Sequence, residues 1–394
     1  MTTDDRPAPL IRPPRLRTEP ERGASRLELF FDLAYVLVVD HLATSFADHL
    51  DLSGAATFAG LLIVTWWSWV TTTLYANRFD TNDVIYRLAK LAAAAAVVGM
   101  AASAEGATGS AGTQFAACFL ATRVLLLLLY ARAWRHVPDA RHTIAIYLAG
   151  AAASSLLWAA SLPVHGTARY GLWAAGILVE ATAPILATRL GDNTPLHLDH
   201  LPERFALLVI LILGESVRSV AVGVHEQHWI AASVVSGAVA FAAAAALWWI
   251  YFDLGGAAGK RQLVEDGEDV ESGVADAYIY GHLPLVIGLA IAAVGVEQFV
   301  VHPAGGLTDA GRWALHGGAA LYLIGLAVVM WGTSGRWRAA WPWPTAVIPF
   351  ILALGFTEFL EPIVSVVLVT VLLVGTVLAG MRAQRRGALR AAEA

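Results

Sequence analysis

LPERFALLVILILGES, residues Leu201 to Ser216, places Pro202 where proline favours a helix start and continues as an unbroken apolar run from Phe205 to Leu213. Apolar residues carry on to about Val224, so the segment can cross a bilayer, which takes about 20 residues. It nevertheless carries Glu215 well inside the apolar layer. A carboxylate there costs roughly 3 kcal/mol on insertion scales, so an intramembrane acid is read first as a functional residue.

The rest of the chain has the same character. Of 394 residues only 14% are charged, against about a quarter in a soluble domain, and the mean hydropathy is +0.61. The fold class is therefore all-α: a polytopic transmembrane helical bundle. Fourteen Trp suit interfacial belts, and abundant Ala and Gly suit close helix packing in lipid. Cys118 is the sole cysteine, which excludes an intrachain disulfide and argues against a thiolate metal site. No metal, cofactor or nucleic-acid partner is expected; the bilayer is. No cleavable leader is expected either, because the first 25 residues are rich in Pro and Arg and lack an apolar core.

Residues 1–24 read as a disordered basic tail, and 382–394 as a second tail. Between them, at 25–381, lie twelve apolar spans: about 27–47, 54–76, 84–104, 113–134, 142–162, 169–188, 203–224, 229–252, 275–300, 312–331, 341–359 and 362–381. The positive-inside rule tests this count, since one missed helix inverts every later loop. With the N-terminus inside, inner segments hold 22 Lys and Arg and outer segments two, Arg169 and Arg312. Both termini are thus expected on the cytoplasmic side of the cell inner or plasma membrane.

An internal match suggests halves at 25–190 and 200–381. Glu28 to Asp40 and Glu203 to Glu215 share a spacing of 12, followed by Trp66-Trp67 and Trp248-Trp249; Tyr86 to Glu105 and Tyr278 to Glu297 are again equally spaced. Two six-helix parallel repeats would produce this pattern, as in some transporters.

The ionisable residues within spans carry any chemistry. In SRLELFFDLAYVLVVDHLATSF, Glu28 and Asp32 share a helix face, with Asp40 and His41 two turns on. The functional reading is a proton or cation path through Asp32, Asp40, Glu180 and Glu215; Glu28 is read at the inner interface, and Asp32 has the alternative of pairing with an inner Arg. Glu215 also has a bland alternative, a pair with Arg218 three residues on. Gly214 beside it suggests close approach of another helix, and a hydrated cavity is expected where Glu215 meets Asp32. Arg78, Asp80 and Asp83, in the run from Asn77 to Asp83, together with Glu203 and Arg204, suggest a gate or helix-end network. His197, Asp199 and His200 invite a metal reading that lacks a third fixed ligand, and the acidic run Glu265 to Glu271 reads as a solvated loop.

SRLELFFDL (25–33), YANRFDTND (75–83) and LPERFALLVILILGES (201–216) together resemble the bacterial low temperature requirement A (LtrA) family, across about residues 20–380. The resemblance implies an integral cell-membrane protein associated by name with growth at low temperature, and supplies no substrate, reaction or cofactor. Asp40-His41 departs from the more hydrophobic form that the family has after the first motif. Residues and resemblance together point to a secondary transporter or ion-coupled permease for a small solute or ion. The alternatives are a membrane enzyme acting on a lipid-like substrate, which has no nucleophile–base constellation in the sequence to support it, and a non-catalytic membrane factor for low-temperature growth. Oligomeric state is left open.

Overall fold

A computed structural model describes residues 10–17, 25–191, 201–256, 273–302, 307–334 and 343–393. Twelve helices account for almost all of them: α1 Arg26–Asp48, α2 Leu52–Arg78, α3 Val84–Ser103, α4 Gly112–His136, α5 Arg141–Ser161, α6 Thr167–Leu190, α7 Leu201–Glu226, α8 Ala231–Trp249, α9 Gly273–Val301, α10 Asp309–Ser334, α11 Ile348–Gly355 and α12 Pro362–Glu393. Eleven are long and apolar enough to cross a membrane. The protein is therefore a multi-pass helical membrane protein.

The exception corrects the expected span at 341–359. That stretch breaks into a turn at Trp343–Ala346 and the eight residues of α11, because Pro344 and Pro349 each remove a backbone donor. Its apolar helical part, Pro344–Gly355, rises only about 18 Å at 1.5 Å per residue. A hydrocarbon core is about 30 Å thick, so this is no single spanning helix, yet the chain still passes from the end of α10 at Ser334 back to its first turn, where Arg312 Nε donates to the Gly355 carbonyl at 2.9 Å. The basic tail also differs from expectation, since Arg15–Leu16 pairs antiparallel with Phe79–Asp80.

Helix starts are set by local chemistry. At α1, the Ser25 amide donates to Glu28 Oε2 (2.8 Å) and the Glu28 amide to Ser25 Oγ (3.3 Å), a reciprocal capping box that gives Glu28 a structural role. Asp83 caps α3 by accepting from the Tyr86 amide at 3.1 Å.

The helices fall into two compact units, the first of residues 1–38 and 64–201, the second of 39–63 and 202–394. The boundary therefore differs from the expected halves: the end of α1 and the start of α2 go with the second unit. In the first unit, Phe119, Trp158 and Trp173 form a stack with centroids 4.0 and 5.0 Å apart. Gly176 makes room for it, as a Cβ there would lie 2.7 Å from the Trp158 indole nitrogen. A second cluster joins Tyr75, Phe79, Tyr86, Tyr130 and Tyr147.

In the second unit α9 and α10 pack antiparallel through glycines repeating every seven residues, Gly281, Gly288 and Gly295 against Gly318, Gly325 and Gly332. Seven residues are two turns, so each set lines one face. A Cβ at Gly288 would sit 2.3 Å from the Tyr322 nitrogen, and one at Gly325 2.4 Å from that of Leu285. The two backbones are in direct contact, and only glycine permits it.

Candidate functional site

In the second unit the C-terminal half of α1, α7 and α9 bring together one guanidinium and three carboxylates. Arg218 Nε lies 2.9 Å from Asp40 Oδ1 and 2.7 Å from Glu215 Oε1, and Nη2 lies 3.3 Å from Glu297 Oε2. Ser219 Oγ adds a 2.9 Å hydrogen bond to Glu297, and His41 Nδ1 stands 3.9 Å from Asp40. The site is graded in depth: the Glu215 side chain is 4% exposed, Glu297 21%, Asp40 31% and Arg218 36%. Fully ionised, the four groups carry two net negative charges, and Arg218 alone cannot neutralise them.

Both sequence readings of Glu215 meet here. The bond to Arg218 along the helix forms, but Arg218 is shared with acids from two other helices. The role expected of Gly214 is corrected: a Cβ there meets nothing within 4 Å among the described residues. Glu297 was absent from the expected pathway. Its only sequence signal was the spacing it shares with Glu105.

The other acids expected on the pathway lie in the first unit. Asp32 is fully buried and accepts from Trp69 Nε1 at 2.8 Å. Glu180, on α6, is paired at 3.0 Å with Arg123 of α4, also fully buried. Arg123 further donates to Thr71 Oγ1 (2.6 Å) and to Ser68 Oγ (2.7 Å), and Ser68 contacts Tyr35 and Thr122. Among the described residues Glu180 Oε2 has no hydrogen-bond partner. Pro184 removes the backbone donor that would otherwise reach the Glu180 carbonyl. Lys90 is buried with Nζ 3.7 Å from the centre of the Phe31 ring.

Of the expected gate residues, Arg78, Asp80 and Asp83 lie in the first unit, each against a partner of its own. Asp80 pairs with Arg15 at 2.9 Å, and Arg78 is buried with its guanidinium 4.7 Å from the Tyr147 ring centre. Asp83 accepts from Arg132 at 2.6 Å and from the Arg12 amide at 3.2 Å. Burial pushes its carboxyl up, but Arg132 and the Tyr86 and Arg12 amides outweigh this and hold it below its ordinary range. Glu203 and the buried Arg204 belong to the first turn of α7, in the second unit.

His197, Asp199, His200 and the run 265–271 lie outside the described residues. Among the described residues no three His, Cys, Asp or Glu stand so as to hold a metal ion. One arrangement had no sequence signal: His316 Nε2 lies 3.0 Å from Ser365 Oγ, although the two are 49 residues apart.

Comparison with known proteins gives two findings. The sequence model of the family described as bacterial low temperature requirement A protein (LtrA) matches residues 23–379. A relative in Rhizobium meliloti (strain 1021), the uncharacterized protein RA0937, is 29% identical over 321 residues, 78% of this chain and 76% of that protein. No solved structure matches.

Proposed function

The chain belongs to the LtrA family, and from that premise we propose that it is a secondary transporter, a permease that moves a small solute coupled to protons. The observation that carries this reading is Arg218 shared among Asp40, Glu215 and Glu297. Three carboxylates around one guanidinium within apolar helices repel one another, and the low dielectric strengthens that repulsion. We place the coupling protons on this cluster, as a whole rather than on one residue. The gradient from exposed Asp40 to buried Glu215 supports entry through Asp40 and storage at Glu215.

Asp32 and Glu180 are assigned to the solute side, with the hydroxyls of Ser68, Thr71 and Thr122 as neutral hydrogen-bonding groups. Arg78, Asp80 and Asp83, with Glu203 and Arg204, are assigned to a gate. Placement in the cell membrane with both termini cytoplasmic follows the Arg asymmetry.

The test is flux in liposomes holding the purified protein, read as pH change inside while a solute panel is applied with and without a pH gradient. Glu297→Gln and Glu215→Gln keep the shape of the acids while fixing them neutral. Each should leave the protein folded and make flux independent of pH. Unaltered proton coupling in both variants refutes the assignment. Loss of fold in Glu215→Gln, restored by Glu215→Gln with Arg218→Leu, makes the cluster a structural ion pair instead.

A further inference from the structure

The second unit contains a cavity of about 240 Å³ where the start of α10 meets the turn before α12, lined by Leu307, Arg312, Phe359, Leu360, Pro362 and Ser365 and by the acids Glu358 and Glu361. Ser365 is on the first turn of α12 and is 2% exposed, while His316, behind it on α10, is fully buried. His316 Nδ1 is 2.7 Å from the Arg312 carbonyl oxygen, which only accepts, so Nδ1 carries the ring proton. Nε2 is then the free acceptor, and Ser365 Oγ donates to it at 3.0 Å. A hydroxyl is thus hydrogen-bonded to a neutral imidazole whose tautomer is fixed from behind, the geometry that activates a serine nucleophile.

We propose that Ser365 and His316 form an acyl-transfer site opening into this cavity, with an ester of an apolar acyl chain as its substrate class. Ser365 Oγ bonds to the acyl carbon while its proton passes to His316 Nε2. The ester C–O bond then breaks, and the same proton goes to the departing alkoxide, which leaves as the alcohol. Water attacks the acyl-serine in the second half, giving its proton through His316 back to Ser365 Oγ and releasing the carboxylic acid.

The surroundings fit each demand. The Arg312 guanidinium, which also contacts Asp309 (2.8 Å) and Glu358 (4.0 Å), is the cation that the cavity wall offers to the developing oxyanion. Leu307, Phe359, Leu360 and Pro362 supply apolar walls. Glu358 and Glu361 select against anionic headgroups, leaving neutral or cationic ones. The resemblance to the buried pair Tyr251 and His282 (2.9 Å) is limited, since Tyr251 lines no part of this cavity.

The experiment treats the full chain in detergent with a fluorophosphonate probe, mapped by peptide mass, and measures hydrolysis of p-nitrophenyl octanoate. Covalent labelling is expected on Ser365, lost in Ser365→Ala and slowed at least about 100-fold in His316→Gln, the range that general-base removal spans. Ester hydrolysis by Ser365→Ala at the wild-type rate, or a folded protein that the probe leaves unmodified at Ser365, overturns the proposal. If Ser365→Ala fails to fold, Ser365→Cys keeps a donor for His316. Its thiol should react with iodoacetamide faster than Cys118, and about tenfold more slowly once His316→Gln is added; equal rates in the two backgrounds overturn the proposal as well.

Discussion

Gly288→Ala should destabilise the second unit strongly, and Gly214→Ala should not. The added methyl at position 288 meets the Tyr322 nitrogen at 2.3 Å, the Gly318 oxygen at 2.6 Å and the Leu321 carbonyl carbon at 2.8 Å. All three are backbone atoms, so no rotamer change relieves the contact and α9 must move away from α10 by about 1 Å to restore the usual 3.5 Å or so. A gap of that size forfeits a quarter to a half of each dispersion contact, and overpacked cores lose about 1–3 kcal/mol; a backbone seam belongs at the upper end, near 3. At Gly214 the methyl meets nothing within 4 Å among the described residues, so only the helix preference for alanine remains, about 1 kcal/mol in its favour. Gly281 is a third case, because its contact is with the Val329 side chain at 2.9 Å. Gly281→Ala should therefore be partly rescued by Val329→Ala, a truncation with no counterpart for Gly288. The assay is the midpoint of SDS-induced unfolding, followed by Trp fluorescence in mixed micelles. Equal midpoints for Gly288→Ala and Gly214→Ala would refute the seam.

Asp83→Asn should lower stability at pH 7 by removing the negative charge that faces Arg132 and one of the two oxygens that accept from Arg132 and the Tyr86 and Arg12 amides. Because the folded carboxyl is held below its usual range, its contribution is complete above the unfolded value of about 3.9 and is lost as pH falls through the lower folded value, so wild type and variant should converge in acid melts. Glu180→Gln should cost about 3–5 kcal/mol by leaving Arg123 as an unpaired buried charge, whereas Arg123→Met with Glu180→Met should regain most of it in the same unfolding assay; a double variant weaker than the single one counts against a simple pair. Reporters fused after Ala107 and Gly166 should read as extracellular and those after Asp139 and Ser334 as cytoplasmic, and any one reversal would break the proposed topology.

Hydropathy made the membrane helices legible because each long span is a local run of apolar residues. It failed at 341–359, where length and apolarity agreed but Pro344 and Pro349 broke the hydrogen-bond ladder, a local signal outweighed by hydropathy. Glycines were legible as small residues suited to packing. Which face they line could be known only once α9 and α10 were paired antiparallel. At the candidate site Glu215 was evident from its cost in lipid, and Arg218 from helical spacing. Glu297 and Asp40 reach the same guanidinium from 79 and 178 residues away, a relation that no local pattern encodes. The same holds for Arg123 and Glu180, and for Ser365 and His316, each a pair of polar groups on different helices that finds in the other the partner lipid withholds.

The duplication suggested by matched spacing can be followed to the positions that the spacing pairs. In the first unit, Tyr86 is followed four residues later by Lys90, whose ammonium lies over Phe31 of α1; in the second, Tyr278 is followed four residues later by His282, whose ring lies 4.7 Å from Phe205 of α7. The aromatic partner is one residue out of step, since the spacing aligns Phe205 with Phe30. A side chain from α2 or from the π-helical turn Ile250–Gly256 after α8 completes each group: Trp69 donates to Asp32, the neighbour of Phe31, and Tyr251 contacts His282. The polar groups at the paired positions thus differ in kind, lysine and aspartate in one unit and histidine and tyrosine in the other, while each packs against an aromatic ring.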